Sequence, residues 1–124
     1  MMTPQLKGFD CLDLDPIDEW QPQEAEDVYY TLCLHIGLPN EDGADLFYVD
    51  VLTPQAMKVF KVSNQILTNP LIVSPYSWEN VMAEVKTVLE NCQGEHWSDI
   101  SRSLSKRFNW EFANYQSYKA NEKT

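Results

Sequence analysis

The amino-acid sequence predicts one α+β domain, in which a mainly antiparallel sheet of about four strands has two or three helices packed on one face. Three observations support this prediction. Apolar side chains alternate at every second position over residues 28–38, which is the period of a strand. Two later segments repeat apolar residues every three or four positions, which is the period of a helix. The length of 124 residues is that of one ordinary domain, so residues 1–124 are assigned to it.

Three strands are predicted in the first half of the chain. Residues 6–14 form a weak candidate, because glycine and aspartate dilute the apolar pattern, and we expect this strand at an edge of the sheet. Residues 28–38 form the clearest strand. Residues 39–44 have a loop composition and residues 45–53 resume strand character, which predicts a hairpin with a connection of about six residues.

A short helix, a short strand and a longer helix are predicted next. Thr53 followed by Pro54 is typical of a helix start, with Thr53 as the N-cap and the helix reaching about Phe60. Residues 71–73 are predicted to form a short buried strand. Ser77 is predicted to cap a helix that ends by Gly94.

The last predicted helix covers residues 97–108, with Arg102, Lys106 and Arg107 in its final turns, where the helix dipole favours positive charge. Residues 110–115 are predicted to form either a final short strand or an extended segment laid on the domain. Residues 116–124 are expected to be a frayed tail.

Negative charge is concentrated in the first fifty residues. Twelve of the nineteen carboxylates lie there against one base, Lys7, for a formal charge of −11, whereas residues 51–124 hold seven acids and eight bases. Residues 15–27 contain two prolines, Trp20 and six acids without periodicity, so residues 13–27 are predicted to form an irregular acidic surface loop. Such a charge either stays solvated or meets a basic partner, and its concentration in one segment favours a partner.

Several partners and compartments are disfavoured. An acidic surface repels phosphate backbones and anionic lipid headgroups, so we expect binding to neither nucleic acid nor membranes. The N-terminus lacks the apolar stretch of roughly 7 to 15 residues that a secretory signal needs, and no apolar run approaches the roughly 20 residues of a membrane span. A cytoplasmic location is therefore expected. The three cysteines form no Cys-x-x-Cys pair, so free thiols and no cofactor are expected.

The sequence predicts no catalytic residue and no metal site. Cys33 and His35 share a strand face, a spacing that the strand pattern explains better than a nucleophile with its base does. Residues 40–45 contain oxygen ligands but lack the spacing of an EF-hand, so we expect a solvated hairpin tip. Trp20 either anchors a partner or fixes the acidic loop to the sheet. A small enzyme with a cleft near His35 and a general adaptor protein remain alternative functions.

Several short motifs carry a resemblance to a known family. They are Ile36-Gly37, Glu-Asp-Gly-Ala-Asp-Leu-Phe at 41–47 running into Val-Leu-Thr-Pro at 51–54, and Leu-Ile-Val at 71–73. The most specific block is Trp-Ser-Asp-Ile at 97–100, then Leu104 and Trp-Glu-Phe at 110–112 with Tyr115. Over residues 28–115 the chain resembles the Immunity protein 8 family of bacterial polymorphic toxin systems.

The resemblance implies a small cytoplasmic α+β inhibitor that protects its own cell in a contact-dependent inhibition system. Such a protein binds and neutralises the C-terminal domain of a cognate toxin and performs no chemistry itself. Many such toxins are nucleases, whose surfaces must be basic to hold a phosphate backbone. From the charge distribution we predict that an acidic surface occludes the toxin; the oligomeric state is left open. The predicted toxin-binding residues are Asp13, Asp15, Asp18, Glu19, Trp20, Glu24, Glu26, Glu41, Asp42 and Asp45.

Overall fold

A computed structural model describes residues 1–64 and 67–112 of the chain. Within these residues it contains five strands, three α-helices and one short 3-10 helix. In chain order these are β1 (Gln5–Asp10), the 3-10 helix (Ile17–Glu19), β2 (Tyr29–Gly37), β3 (Asp45–Leu52), α1 (Pro54–Val62), β4 (Leu71–Ile72), α2 (Trp78–Glu90), α3 (Trp97–Ser105) and β5 (Asn109–Trp110).

The strands form one sheet in the order β1-β2-β3-β4, and β5 also pairs with β3. The β1/β2 and β2/β3 pairs are antiparallel, and β1 lies at an edge, as its diluted pattern predicted. The far edge of β3 is shared, since the parallel strand β4 pairs with its end at Val51 while β5 pairs antiparallel near Phe47. The predicted α+β class with a mainly antiparallel sheet is confirmed.

One face of the sheet packs against α2 and α3. Alternate residues of β2 and β3 point to this face and are almost completely buried, which is the physical origin of the two-residue apolar period. Helices α2 and α3 contribute the apolar residues that recur every three or four positions in the sequence. Each fully buried aliphatic side chain contributes about 1.5–3 kcal/mol, so this layer supplies most of the stability. Its members include Tyr30, Leu32, Leu34, Ile36, Phe47, Val49, Val51, Val81, Val85, Val88, Ile100, Leu104 and Phe108.

Over the centre of the other face, residues 1–64 and 67–112 place no helix. We call this other face the open face. At one end of it, Phe60 of α1 packs against Tyr29 with ring centroids 4.9 Å apart. No helix of the described residues is long and apolar enough to cross a membrane. The side chains of the open face belong to Asp10, Thr31, Cys33, His35, Leu46, Tyr48 and Asp50.

Helix α1 begins as predicted, but Thr53 does not cap it. Pro54 occupies the first turn and Thr53 the N-cap position, yet the Thr53 hydroxyl makes no capping hydrogen bond. That hydroxyl accepts a hydrogen bond from the Val28 N–H at 3.0 Å and donates one to the Glu26 carbonyl oxygen at 2.6 Å. The predicted N-cap position is therefore confirmed, but the side chain of Thr53 is completely buried and bonds the backbone that enters β2 instead of the helix.

The other helix boundaries differ from the predictions by a few residues. Ser77 caps α2 by accepting a hydrogen bond from the Asn80 N–H at 3.0 Å. Helix α3 ends at Ser105, so only Arg102 lies in its last turn. Of the predicted final strand, only Trp110 lies in β5. The prediction was wrong at Phe112, since residues 111–112 are helical, and Tyr115 and the predicted tail at 116–124 lie outside the described residues.

The β2/β3 hairpin is closed by a close approach of two glycines. A Cβ atom placed on Gly37 would collide with the backbone carbonyl oxygen of Gly43, which cannot move aside as the end of a flexible side chain can. A Cβ atom placed on Gly43 would meet no heavy atom within 4 Å. The connection between the two best strands therefore depends on the absence of a side chain at Gly37.

We expect Gly37→Ala to lower the free energy of unfolding by about 1–3 kcal/mol, because the new methyl group must displace backbone. Gly43→Ala adds the same methyl group in open space and should change stability by less than about 0.5 kcal/mol. Urea unfolding of both variants measures the difference. Equal stability of the two variants would contradict the tight closure of this hairpin.

Candidate functional site

The acidic loop, residues 13–27, is fixed to the domain by apolar contacts. Ile17 is 2% exposed and belongs to the core. The half-buried Trp20 packs edge-on against Tyr30 and Tyr76, with ring centroids 5.9 and 5.6 Å away. The two tyrosine hydroxyls lie 2.8 Å apart, and burial raises the pKa of both, so they stay neutral. Trp20 therefore joins the loop to the sheet, as one of the two interpretations of this residue predicted.

Backbone groups hold the C-terminal end of the same loop. The Tyr76 N–H donates to the Ala25 carbonyl oxygen at 2.9 Å, and the Thr53 hydroxyl donates to that of Glu26. The backbone N–H of Thr53 also donates to the Val28 carbonyl oxygen at 3.1 Å. These bonds use main-chain oxygens, so they leave every loop carboxylate available.

The carboxylates of the acidic loop point into solvent without a cationic partner. In residues 1–64 and 67–112, no lysine or arginine nitrogen lies within 4.0 Å of any carboxylate. Asp13, Asp15 and Glu19 line a shallow depression of about 410 Å³ together with Trp20. The structure thus brings four of the predicted binding residues together. All six loop acids of the prediction are exposed: Asp13, Asp15, Asp18, Glu19, Glu24 and Glu26.

The predicted residues of the hairpin lie elsewhere. The acidic loop leads into the start of β2, whereas Glu41, Asp42 and Asp45 follow the end of β2. The nine residues of this strand place its two ends about 26 Å apart. Glu41 and Asp42 are exposed. Asp45 accepts hydrogen bonds from the indole N–H groups of Trp97 and Trp110, at 3.1 and 3.2 Å. The ten predicted residues therefore form two groups at opposite ends of the sheet.

A cluster on the open face was only partly visible in the sequence. The His35 Nε2 atom lies 2.8 Å from an Asp10 carboxylate oxygen, and one donor atom each of Asp10, Cys33 and His35 lie within 4.8 Å of one another. A Cβ on Gly8 would approach His35 Nδ1 to 3.1 Å, so the small residue gives the ring its space. Sequence analysis missed Asp10 because its position depends on the β1/β2 register, which contains an irregularity between Leu6 and Gly8.

The chemistry of this cluster does not favour catalysis. Burial raises the pKa of the Cys33 thiol and the Asp10 carboxylate raises it further, while a hydrogen bond with Tyr48 opposes them. The thiol is therefore protonated at neutral pH and a poor nucleophile. His35 directs Nε2 toward Asp10. The sulfur of Cys33, the nitrogen of His35 and the oxygen of Asp10 are ligand types that suit a transition metal. Here, however, the Asp10 oxygen and His35 Nε2 are hydrogen-bonded to each other.

Comparison with known protein families gives a match. A family model described as Immunity protein 8 matches residues 4–115, which include the acidic loop, the hairpin and the open-face cluster. No curated protein and no solved structure matches the chain.

We expect Thr53→Val to lower the free energy of unfolding by about 1–3 kcal/mol, because the buried Val28 N–H then has no acceptor. The loss should also loosen the acidic loop, so that a glutamate-specific protease cleaves the loop faster. Thr87→Val is the matched control, since its hydroxyl bonds only the Ala83 carbonyl oxygen on an exposed helix surface. If both variants unfold and are cleaved alike, Thr53 does not hold the loop.

Proposed function

The chain belongs to the Immunity protein 8 family, which makes it an immunity protein of a toxin system, and we propose that it neutralises its cognate toxin domain by occluding a basic surface with the carboxylates of the acidic loop. The protein binds and performs no chemistry itself. It acts in the cytoplasm, in a system of the contact-dependent inhibition type. The observation that supports this proposal is a firmly fixed loop whose carboxylates have no cationic partner within the described residues.

A basic target follows from the charge balance. The first fifty residues have a formal charge of −11, and six of the nine basic residues lie at positions 58–107, largely on the helices. The negative surface of this chain and a positive toxin surface attract each other, which raises the association rate above the about 10⁵–10⁶ M⁻¹s⁻¹ of a neutral pair. A nuclease is the target that best fits, because its substrate surface must be positive to bind phosphates.

Rigidity matters as much as charge in this proposal. An isolated exposed ion pair contributes only about 0–1 kcal/mol, so a mobile acidic tail would bind weakly and without orientation. The contacts of Ile17 and Trp20 order the loop before the partner arrives, which lowers the entropy cost of binding. Trp20 also lines the depression beside Asp15 and Glu19, where its remaining surface is available to a partner.

The hairpin acids belong to the same proposal in a second role. Glu41 and Asp42 contact the toxin only if that domain extends along the sheet from the acidic loop. Asp45 has an indirect role, because its carboxylate holds the indoles of Trp97 and Trp110 in place beside the hairpin. The loop acids and the hairpin acids can therefore be tested separately.

Reversing three loop charges, with Asp15→Lys, Asp18→Lys and Glu19→Lys, should weaken binding to the toxin domain at least tenfold. The association rate should fall and its dependence on salt should become shallower, because the attractive field is lost. Surface plasmon resonance between 50 and about 300 mM salt measures both quantities.

The matched control reverses three exposed acids on the helical side, with Glu84→Lys, Glu90→Lys and Glu95→Lys. It changes net charge equally, so a purely global effect would weaken both variants alike. Unaltered affinity and salt dependence of the loop variant would refute the acidic loop as the binding surface. The pair Glu41→Lys and Asp42→Lys then shows whether the partner reaches the hairpin.

A further inference from the structure

The open face contains a groove of about 450 Å³ next to the acidic loop. Its lining combines two acids, Asp10 and Asp13, with the apolar or weakly polar groups of Leu12, Cys33, Leu46 and Tyr48. Asp13 also lines the depression at Trp20, so the groove and that depression adjoin at this residue.

Apolar groups in this groove are unusually accessible. Leu12 is 97% exposed and Tyr48 is 36% exposed. A single exposed leucine is ordinary on a protein surface, but here two large apolar side chains line one concavity on a sheet face that no helix covers within the part of the chain that the structure describes. The groove is therefore a place where an apolar group of a partner could be removed from water.

The charge at the groove indicates which partner fits. Asp10 is hydrogen-bonded to His35, and in the described residues neither Asp10 nor Asp13 has a lysine or arginine within 4.0 Å. Lys7 lies on β1, as Asp10 does, but it donates to the backbone carbonyl oxygen of Glu41 at the hairpin. A lysine or arginine side chain matches this arrangement, since its methylene stem can lie along Leu12 and its charged head can meet the carboxylates.

Interface size supports the use of both concavities. A stable protein complex buries about 800 Å² on each partner, which is more than one shallow depression provides. The acidic loop together with the open face gives a larger area. A second copy of this chain is a poor occupant, because it would bring two strongly acidic surfaces together.

We propose that the open-face groove is a docking site for a lysine or arginine side chain of the cognate toxin domain, which lies there between the apolar side chains that line the groove. This inference rests on the proposed function, and it deepens it by naming a second contact beyond the loop carboxylates. The loop supplies the attraction at long range, and the groove supplies the short-range apolar contact that slows dissociation.

The test compares Leu12→Lys with Val62→Lys, using the purified C-terminal domain of the cognate toxin as the probe. Leu12 is 97% exposed and Val62, on α1, is 88% exposed, so both variants should fold and both change the net charge equally. We expect Leu12→Lys to weaken binding at least tenfold, mainly through faster dissociation, and Val62→Lys to bind within twofold of the parent chain. Thermal unfolding of both variants confirms that the fold is retained.

The outcomes separate this inference from the proposed function. If the parent chain binds the toxin domain but the two variants bind equally well, the groove is not the docking site and the proposed function stands. If the parent chain does not bind the domain at all, both are overturned. If the parent chain forms a dimer in light scattering that Leu12→Lys alone dissociates, the occupant is a second copy and the toxin contact is rejected.

Discussion

The fixing of the acidic loop by uncharged contacts is the constraint on which the proposed site depends. A segment with so many carboxylates would be expected either to stay unfolded or to fold against lysines and arginines. Here Ile17 enters the core, Trp20 packs on two tyrosines, and main-chain carbonyls receive the hydrogen bonds. Mutual repulsion of the carboxylates is thus offset by apolar burial and neutral hydrogen bonds, and the charge itself remains available to a partner.

The two faces of the sheet have different roles. The face toward α2 and α3 provides the apolar layer that stabilises the domain. The loop that connects β1 to β2 contributes Ile17 and Trp20 to that layer, whereas its carboxylates stay outside it. This separation explains how a chain of 124 residues can combine a stable core with a strongly charged surface.

The cluster of Asp10, Cys33 and His35 shows why the presence of reactive residue types is weak evidence for catalysis. A histidine paired with a carboxylate lies close to a thiol, yet burial keeps the thiol protonated and the Nε2 atom faces the carboxylate. Membership in a family of immunity proteins agrees with a binding function. The proposal of a recognition surface on the open face uses this cluster without assigning chemistry to it.

Local patterns in the sequence determined the strands, helices and charge distribution, because alternation, three-to-four spacing and acid content are properties of neighbouring residues. They predicted β2, the hairpin, Ser77 as the cap of α2 and the irregular acidic loop. Only the tertiary structure decided which distant groups meet: Thr53 with the backbone of Glu26, Asp45 with two indoles, and Asp10 with His35. The tertiary structure also separated Glu41 and Asp42 from the acidic loop, since the extended strand β2 lies between them and spans the sheet from one end to the other.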